Sequence, residues 1–146
     1  MAKVFERIVY NQFYEYLTEN NIISCNQSGF RSLHSTATAL LEATDNWAFN
    51  IDKSNVNAVI FLDLKKAFDT VDHSILVSKL KAYGVGSNWS YWCKSYLDNR
   101  TKKCFVNGSL SQSQPLTCGI PQGKILGPLH FILYRNDLPN CLVNSH

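Results

Sequence analysis

A chain of 146 residues with 45% apolar side chains has enough material to enclose a core, so disorder is excluded as the main reading. Charged residues make up only 17%, a shortfall that suits an interior or partner-facing origin, and a net charge of +3 neither identifies nor excludes a nucleic-acid binder. Five cysteines at 25, 93, 104, 118 and 141 lack any zinc-site spacing and are odd in number, so they read as reduced thiols, mostly small apolar fillers. The opening stretch carries Lys3, Glu6 and Arg7 without a long apolar run, unlike a signal peptide, and no segment is apolar for long enough to span a membrane. These features predict an intracellular chain with no membrane partner, leaving nucleus against cytoplasm open.

Residues 4–18 read as a helix, with Val4, Ile8, Val9, Phe13, Tyr16 and Leu17 on one side and Asn20-Asn21 at its end. Residues 22–34 are polar and irregular around Gly29. A second helix begins near Ser35 or Thr36, buries a stripe of Ala37, Leu40, Leu41, Thr44, Trp47 and Ala48, and stops before Asn55. Val56 to Leu64 is the clearest strand. Its run Val59-Ile60-Phe61-Leu62 is apolar without alternation, the pattern of a strand covered on both faces. Ser74 to Tyr83, closed by Gly84, and Asn88 to Leu97 read as two short helices. Asn107-Gly108-Ser109, between strand-like runs Lys103–Val106 and Gln114–Cys118, signals a hairpin. A Gly- and Pro-rich loop over 119–128 leads into a helix over Leu129–Leu138. The order predicts an α+β fold.

Chemistry points first to Asp63. A carboxylate at the end of an apolar strand is costly to bury unless it faces a cleft or a cation, so Asp63 is either a metal ligand held on a rigid edge or a cap for the next turn. Asp69 and Asp72 lie one turn apart on the following stretch. Asp69 reads as a partner for loop donors and Asp72, with His73, as the cap of the helix at Ser74. In Gly119-Ile120-Pro121-Gln122-Gly123 the glycines permit close backbone approach, and the Gln122 amide can donate and accept; a tight structural loop and a substrate loop both fit. Arg31 in the cluster Gln27 to His34, and Arg100, Lys102 and Lys103 beside the hairpin, are either phosphate contacts or a solvated surface. Trp89, Tyr91, Trp92 and Tyr96 offer either core or stacking platforms.

Taken together, these motifs resemble those of reverse transcriptases from retrotransposons lacking long terminal repeats. Phe61-Leu62-Asp63-Leu64-Lys65-Lys66-Ala67-Phe68-Asp69-Thr70-Val71-Asp72-His73 is similar to their first palm motif. Gly119-Ile120-Pro121-Gln122-Gly123 with Leu126-Gly127-Pro128-Leu129 is similar to the second, and Gln27-Ser28-Gly29-Phe30-Arg31 with His34-Ser35-Thr36 to the fingers motif. Asn136-Asp137-Leu138-Pro139 matches the close of the helix after the second palm motif.

The resemblance implies a partial right-hand polymerase fold, fingers and first half of palm, truncated before the catalytic Asp-Asp hairpin. It divides the chain into fingers-side helices over 1–55, the first palm motif over 56–73, helices and hairpin over 74–118, and the second palm motif with its helix over 119–139. It further implies two-metal nucleotidyl transfer with Mg²⁺ or Mn²⁺, an RNA template, a DNA primer and a deoxynucleoside triphosphate. Asp63 would be the catalytic, metal-binding aspartate, and Leu64 would offer its backbone carbonyl to a metal. Phe68, Gln122, Gly123 and Arg31 would line the nucleotide site, and Arg100, Lys102 and Lys103 would approach the nucleic-acid backbone.

No Asp-Asp pair occurs in the sequence, so the chain alone is expected not to polymerise; a palm sheet missing strands is expected to expose edges and apolar surface and to tend to aggregate. The alternative is a non-catalytic nucleic-acid-binding remnant or a degenerate element product. Three positions depart from the family pattern: Lys124 where Ser is usual, His130 where an apolar residue is usual, and Arg135 where an aliphatic is usual. Burying His130 or Arg135 without a partner would cost several kcal/mol.

Overall fold

The computed structural model describes residues 2–141 and places four helices around one core. Helix α1 (Ala2–Glu19) turns Val9, Phe13 and Leu17 inward at helical spacing, while Val4 and Ile8 of the expected stripe stay exposed. Against it pack α3 (His73–Ala82), α4 (Ser87–Leu97) and α5 (Leu126–Arg135), contributing Leu76, Leu80, Cys93, Leu97, Leu129, Ile132 and Leu133. Phe13 stacks on Trp89 at 5.0 Å, tying α1 to α4.

Local chemistry sets the ends. Asp72 caps α3, accepting from the Ser74 hydroxyl and from the Ile75 and Ser74 amides, and these bonds, the hydroxyl's first, hold its carboxyl below the usual range. Gly84 closes α3 with φ 75°, a conformation most other residues resist, and its carbonyl accepts from the Tyr16 hydroxyl of α1. Ser35 caps α2 (Thr36–Asp52) in a reciprocal pair with Thr38. A short α6 (Leu138–Cys141) follows α5. The expected helix over Leu129–Leu138 thus begins earlier, at Leu126, and breaks at Asn136.

The hairpin turns where the Asn-Gly signal puts it. Asn107 and Gly108 both take positive φ, as the favoured two-residue turn demands. The pairing differs from the expected one. Here β2 (Phe105–Val106) pairs with β3 (Ser109–Leu110), and β1 (Thr101–Lys102) pairs with β4 (Gln114–Pro115). Between the ladders the second arm carries one residue more than the first, a bulge that re-registers the outer pair.

Two expectations fail. The stripe of α2 is not buried; the helix buries none of its residues. Residues 56–64 form no strand: the segment lacks regular structure, and Val56 and Phe61 are 95% and 85% exposed. An apolar run declares a preference for a two-sided interior, but a strand exists only where a neighbour completes its ladder, and no described segment pairs with this one. The cysteine reading also needs correction. Cys93 is a buried filler, whereas Cys25, Cys104 and Cys118 are exposed. Burial pushes the Cys93 thiol up to about 12. Among the described residues no helix is long and apolar enough to cross a membrane.

Candidate nucleotide and nucleic-acid site

The first and second palm motifs meet through their backbones. The Gly119 amide donates to Val71 O at 2.7 Å, the Ile120 amide donates to Phe68 O at 2.9 Å, and Asp72 and Cys118 form an antiparallel bridge. Gly119 fits because it lacks a side chain: its φ is 89°, and a Cβ would stand 3.0 Å from the Asp69 carbonyl oxygen. Side chains reinforce the junction. His73 Nε2 donates to Gly119 O at 2.7 Å, and Gln122 Nε2 donates to Asp69 Oδ1 at 3.0 Å.

Phe68 forms the centre of a three-motif contact. It stacks on Phe131 of α5 at 4.7 Å and meets Phe30 of the fingers motif edge-on at 5.9 Å. The fingers motif, the first palm motif and the helix that carries on from the second palm motif therefore share one aromatic cluster. Phe68 is half-buried, while Gln122 and Gly123 at its border are exposed.

The remaining candidates are more dispersed. Asp63 and Leu64 are exposed on the irregular segment rather than fixed on a buried strand, so the rigid edge expected to present Asp63 is not formed. The residue bonded to the Gln122 loop is Asp69, the loop-partner role expected of it. Arg31 is half-buried and turned into its own loop, one guanidinium nitrogen donating to Ser24 O at 3.2 Å and Gln27 O at 3.4 Å. Arg100 lies over the Tyr96 ring at 5.2 Å. Lys102 and Lys103 are exposed on the hairpin. Among the described residues no three His, Cys, Asp or Glu side chains converge as a metal site. The groups present do not by themselves fit the ion pair that the resemblance implies.

Each family departure has a distinct physical outcome. Lys124 pairs with Glu6 at 3.4 Å. Arg135 stays exposed, its guanidinium 5.8 Å from the Phe131 ring centre, so it escapes burial. His130 does not escape. It is fully buried, neither ring nitrogen has a hydrogen-bond partner, and its ring lies 5.9 Å from that of Tyr96.

Glu6 is a supporting residue that the sequence reading passed over. It is 6% exposed, and its Oε2 accepts from the Ile125 amide at the entrance to α5. Its position three residues before Val9 and seven before Phe13 puts it on the buried stripe of α1, which was the available signal. Glu6→Ala leaves the Ile125 amide and Lys124 without their partner. It is expected to cost about 2 kcal/mol in urea unfolding, and an unchanged midpoint would show that the contact contributes nothing.

A reverse transcriptase (RNA-dependent DNA polymerase) family model matches residues 1–145, and the chain belongs to that family. Within it the chain sides with the enzymes of retrotransposons lacking long terminal repeats, as its motifs imply. It is 37% identical over 95% of its length to a probable RNA-directed DNA polymerase from transposon BS of Drosophila melanogaster. It is 31% identical over 95% to the corresponding protein of transposon X-element and 32% identical over 95% to the RNA-directed DNA polymerase of mobile element jockey, both from the same fly. The chain spans about 15% of the length of each of these relatives.

Proposed function

We propose that this chain is the fingers and early-palm portion of an RNA-directed DNA polymerase, and that it forms one wall of the nucleotide and primer–template site. The reading is carried by Phe68, whose ring meets Phe30 of the fingers motif and Phe131 of α5 and whose backbone carbonyl accepts from Ile120 of the second palm motif. Phe68 would lie under the nucleotide sugar, with Gln122 and Gly123 lining the base side and Arg31 toward the triphosphate. Arg100, Lys102 and Lys103 would follow the nucleic-acid backbone. Asp63 would offer one carboxylate toward Mg²⁺ or Mn²⁺, with Leu64 beside it. One carboxylate does not hold such an ion tightly, since that takes several oxygens. The 146 residues alone are therefore inactive in this reading.

Two measurements test it. Primer extension with Mg²⁺ or Mn²⁺ is expected to show no nucleotide addition by this chain. Extension that Asp63→Asn abolishes would overturn the inactivity. Affinity for an RNA–DNA primer–template is expected to fall with salt, and replacing Arg100, Lys102 and Lys103 together by Ala should lower the log–log salt slope by about 3. A slope unchanged by the triple substitution would remove the hairpin from the interface.

A further inference from the structure

A separate cavity of about 780 Å³ opens at the other end of the same palm-motif junction. Segments 68–72 and 118–122 run antiparallel, with the Asp69–Gln122 bond at one end and the Asp72–Cys118 bridge toward the other. Beyond that bridge, α3, α4 and the chain leaving β4 enclose the cavity. Ser74, Val77 and Lys81 line it from α3, Tyr91 and Lys94 from α4, and Leu116 from the third wall. Its volume lies within the usual range for sites that hold a small ligand or a short polymer segment.

The lining suits a particular chemistry. Val77 and Leu116 supply apolar surface, and Tyr91 is 73% exposed, a free aromatic face beside it. Lys81 and Lys94 stand on different helices, and neither is ion-paired among the described residues. Two carboxylates also border the space. Asp72 is engaged by the amides and hydroxyl at the start of α3, and Asp98 and Asn99 both line the cavity. The Leu116 amide donates to Arg100 O at 2.8 Å, so the cavity wall continues directly into the basic strand bearing Lys102. Separated cations favour a phosphodiester chain, an exposed ring favours a base face, and a carboxylate beside an amide can meet the amino and carbonyl groups of a base edge. An acidic peptide would use the cations but would find no partner for its carboxylates at Asp98.

We propose that this α3–α4 cavity binds a single-stranded nucleic-acid segment, outside the nucleotide site of the previous section. A base stacks on Tyr91, and flanking phosphates meet Lys81 and Lys94. The proposal does not depend on Asp63 or on a metal ion.

The test is photo-crosslinking of a short single-stranded oligonucleotide bearing iodouracil to the whole chain in EDTA, with peptide mapping, alongside fluorescence anisotropy. The crosslink is expected on the peptide containing Tyr91. Tyr91→Ala should weaken binding about tenfold while Tyr91→Phe retains it, and joint replacement of Lys81 and Lys94 by Ala should reduce the salt slope by about 1.4. Crosslinks confined to the hairpin or to residues 119–128 would overturn the proposal, as would wild-type affinity in Tyr91→Ala. Displacement of the oligonucleotide by an acidic peptide at lower concentration would assign the cavity to a protein partner instead. Because no metal is present, loss of the Asp63 reading would leave every one of these outcomes interpretable.

Discussion

Between pH 6.5 and 4 the folded chain is expected to lose about 3 kcal/mol of stability through His130 alone. Desolvation is the main cause: the imidazole is wholly enclosed, so its charged form is disfavoured and its pKa falls from 6.5 to about 4. His73 nearby pushes in the same direction, and the Leu126 carbonyl one turn earlier opposes it, without meeting a ring nitrogen in hydrogen-bond geometry. The folded pKa lies below the unfolded one. Stability is therefore fully present above pH 6.5, declines as the unfolded state takes up the proton, and levels off below about 4.

At neutral pH His130 has a second cost, because two ring nitrogens are buried without partners. His130→Leu is thus expected to stabilise the chain by about 1–2 kcal/mol at pH 7 and to flatten its own part of the acid limb. Urea titrations at pH 7 and pH 5 on both proteins decide it. A pH dependence identical in the two would mean that His130 finds a partner in solution. The Tyr96 hydroxyl remains a separate orphan in either protein. Burial, with Glu6 facing it, pushes that phenol up to about 12, so it does not titrate in this window.

Why some of this was readable and some was not follows from the range of each cause. Helix ends at Ser35, Asp72 and Gly84 depend on neighbours within a turn, and all three are where the residues imply. The Asn107-Gly108 turn is equally local, yet the one-residue bulge moved the pairing beyond it, since nothing in Cys104 or Ser111 announces the extra residue. Segment 56–64 failed for the opposite reason. Its composition is that of an interior strand, but the ladder is a long-range contract that the segment cannot fulfil by itself. The candidate site divides in the same way. Gly119, Gln122 and Phe68 were legible as motif residues and do come together, because backbone pairing carries them. Asp63 was the firmest candidate by pattern and stands exposed on irregular chain, because its presentation depended on that strand. His130 was marked as a misfit by its type alone, and the packing of α5 makes it one.

The junction holding those motif residues makes the second large prediction. Gly127 lies in the first turn of α5 where the Pro121 carbonyl crosses it: a Cβ there would stand 2.6 Å from that oxygen, closer than van der Waals contact allows. Both contacting groups are backbone, so no side chain can rotate away. Either α5 retreats from the loop or Pro121 moves, and Pro121 immediately precedes the Gln122 that reaches Asp69. Gly127→Ala is therefore expected to cost about 3 kcal/mol, at the upper end for overpacking. It should also weaken the Gln122–Asp69 bond, seen as a shift of the Gln122 side-chain amide in NMR spectra. Gly123→Ala provides the contrast. Gly123 has φ 73° but open space around its Cα, so alanine meets only the backbone penalty of about 1–2 kcal/mol. If the loop is positioned by close approach at Gly127, Gln122→Ala should be strongly non-additive with Gly127→Ala and nearly additive with Gly123→Ala. Wild-type stability in Gly127→Ala would mean that the loop and α5 are not in contact, and the shared wall of the nucleotide site would lose its support.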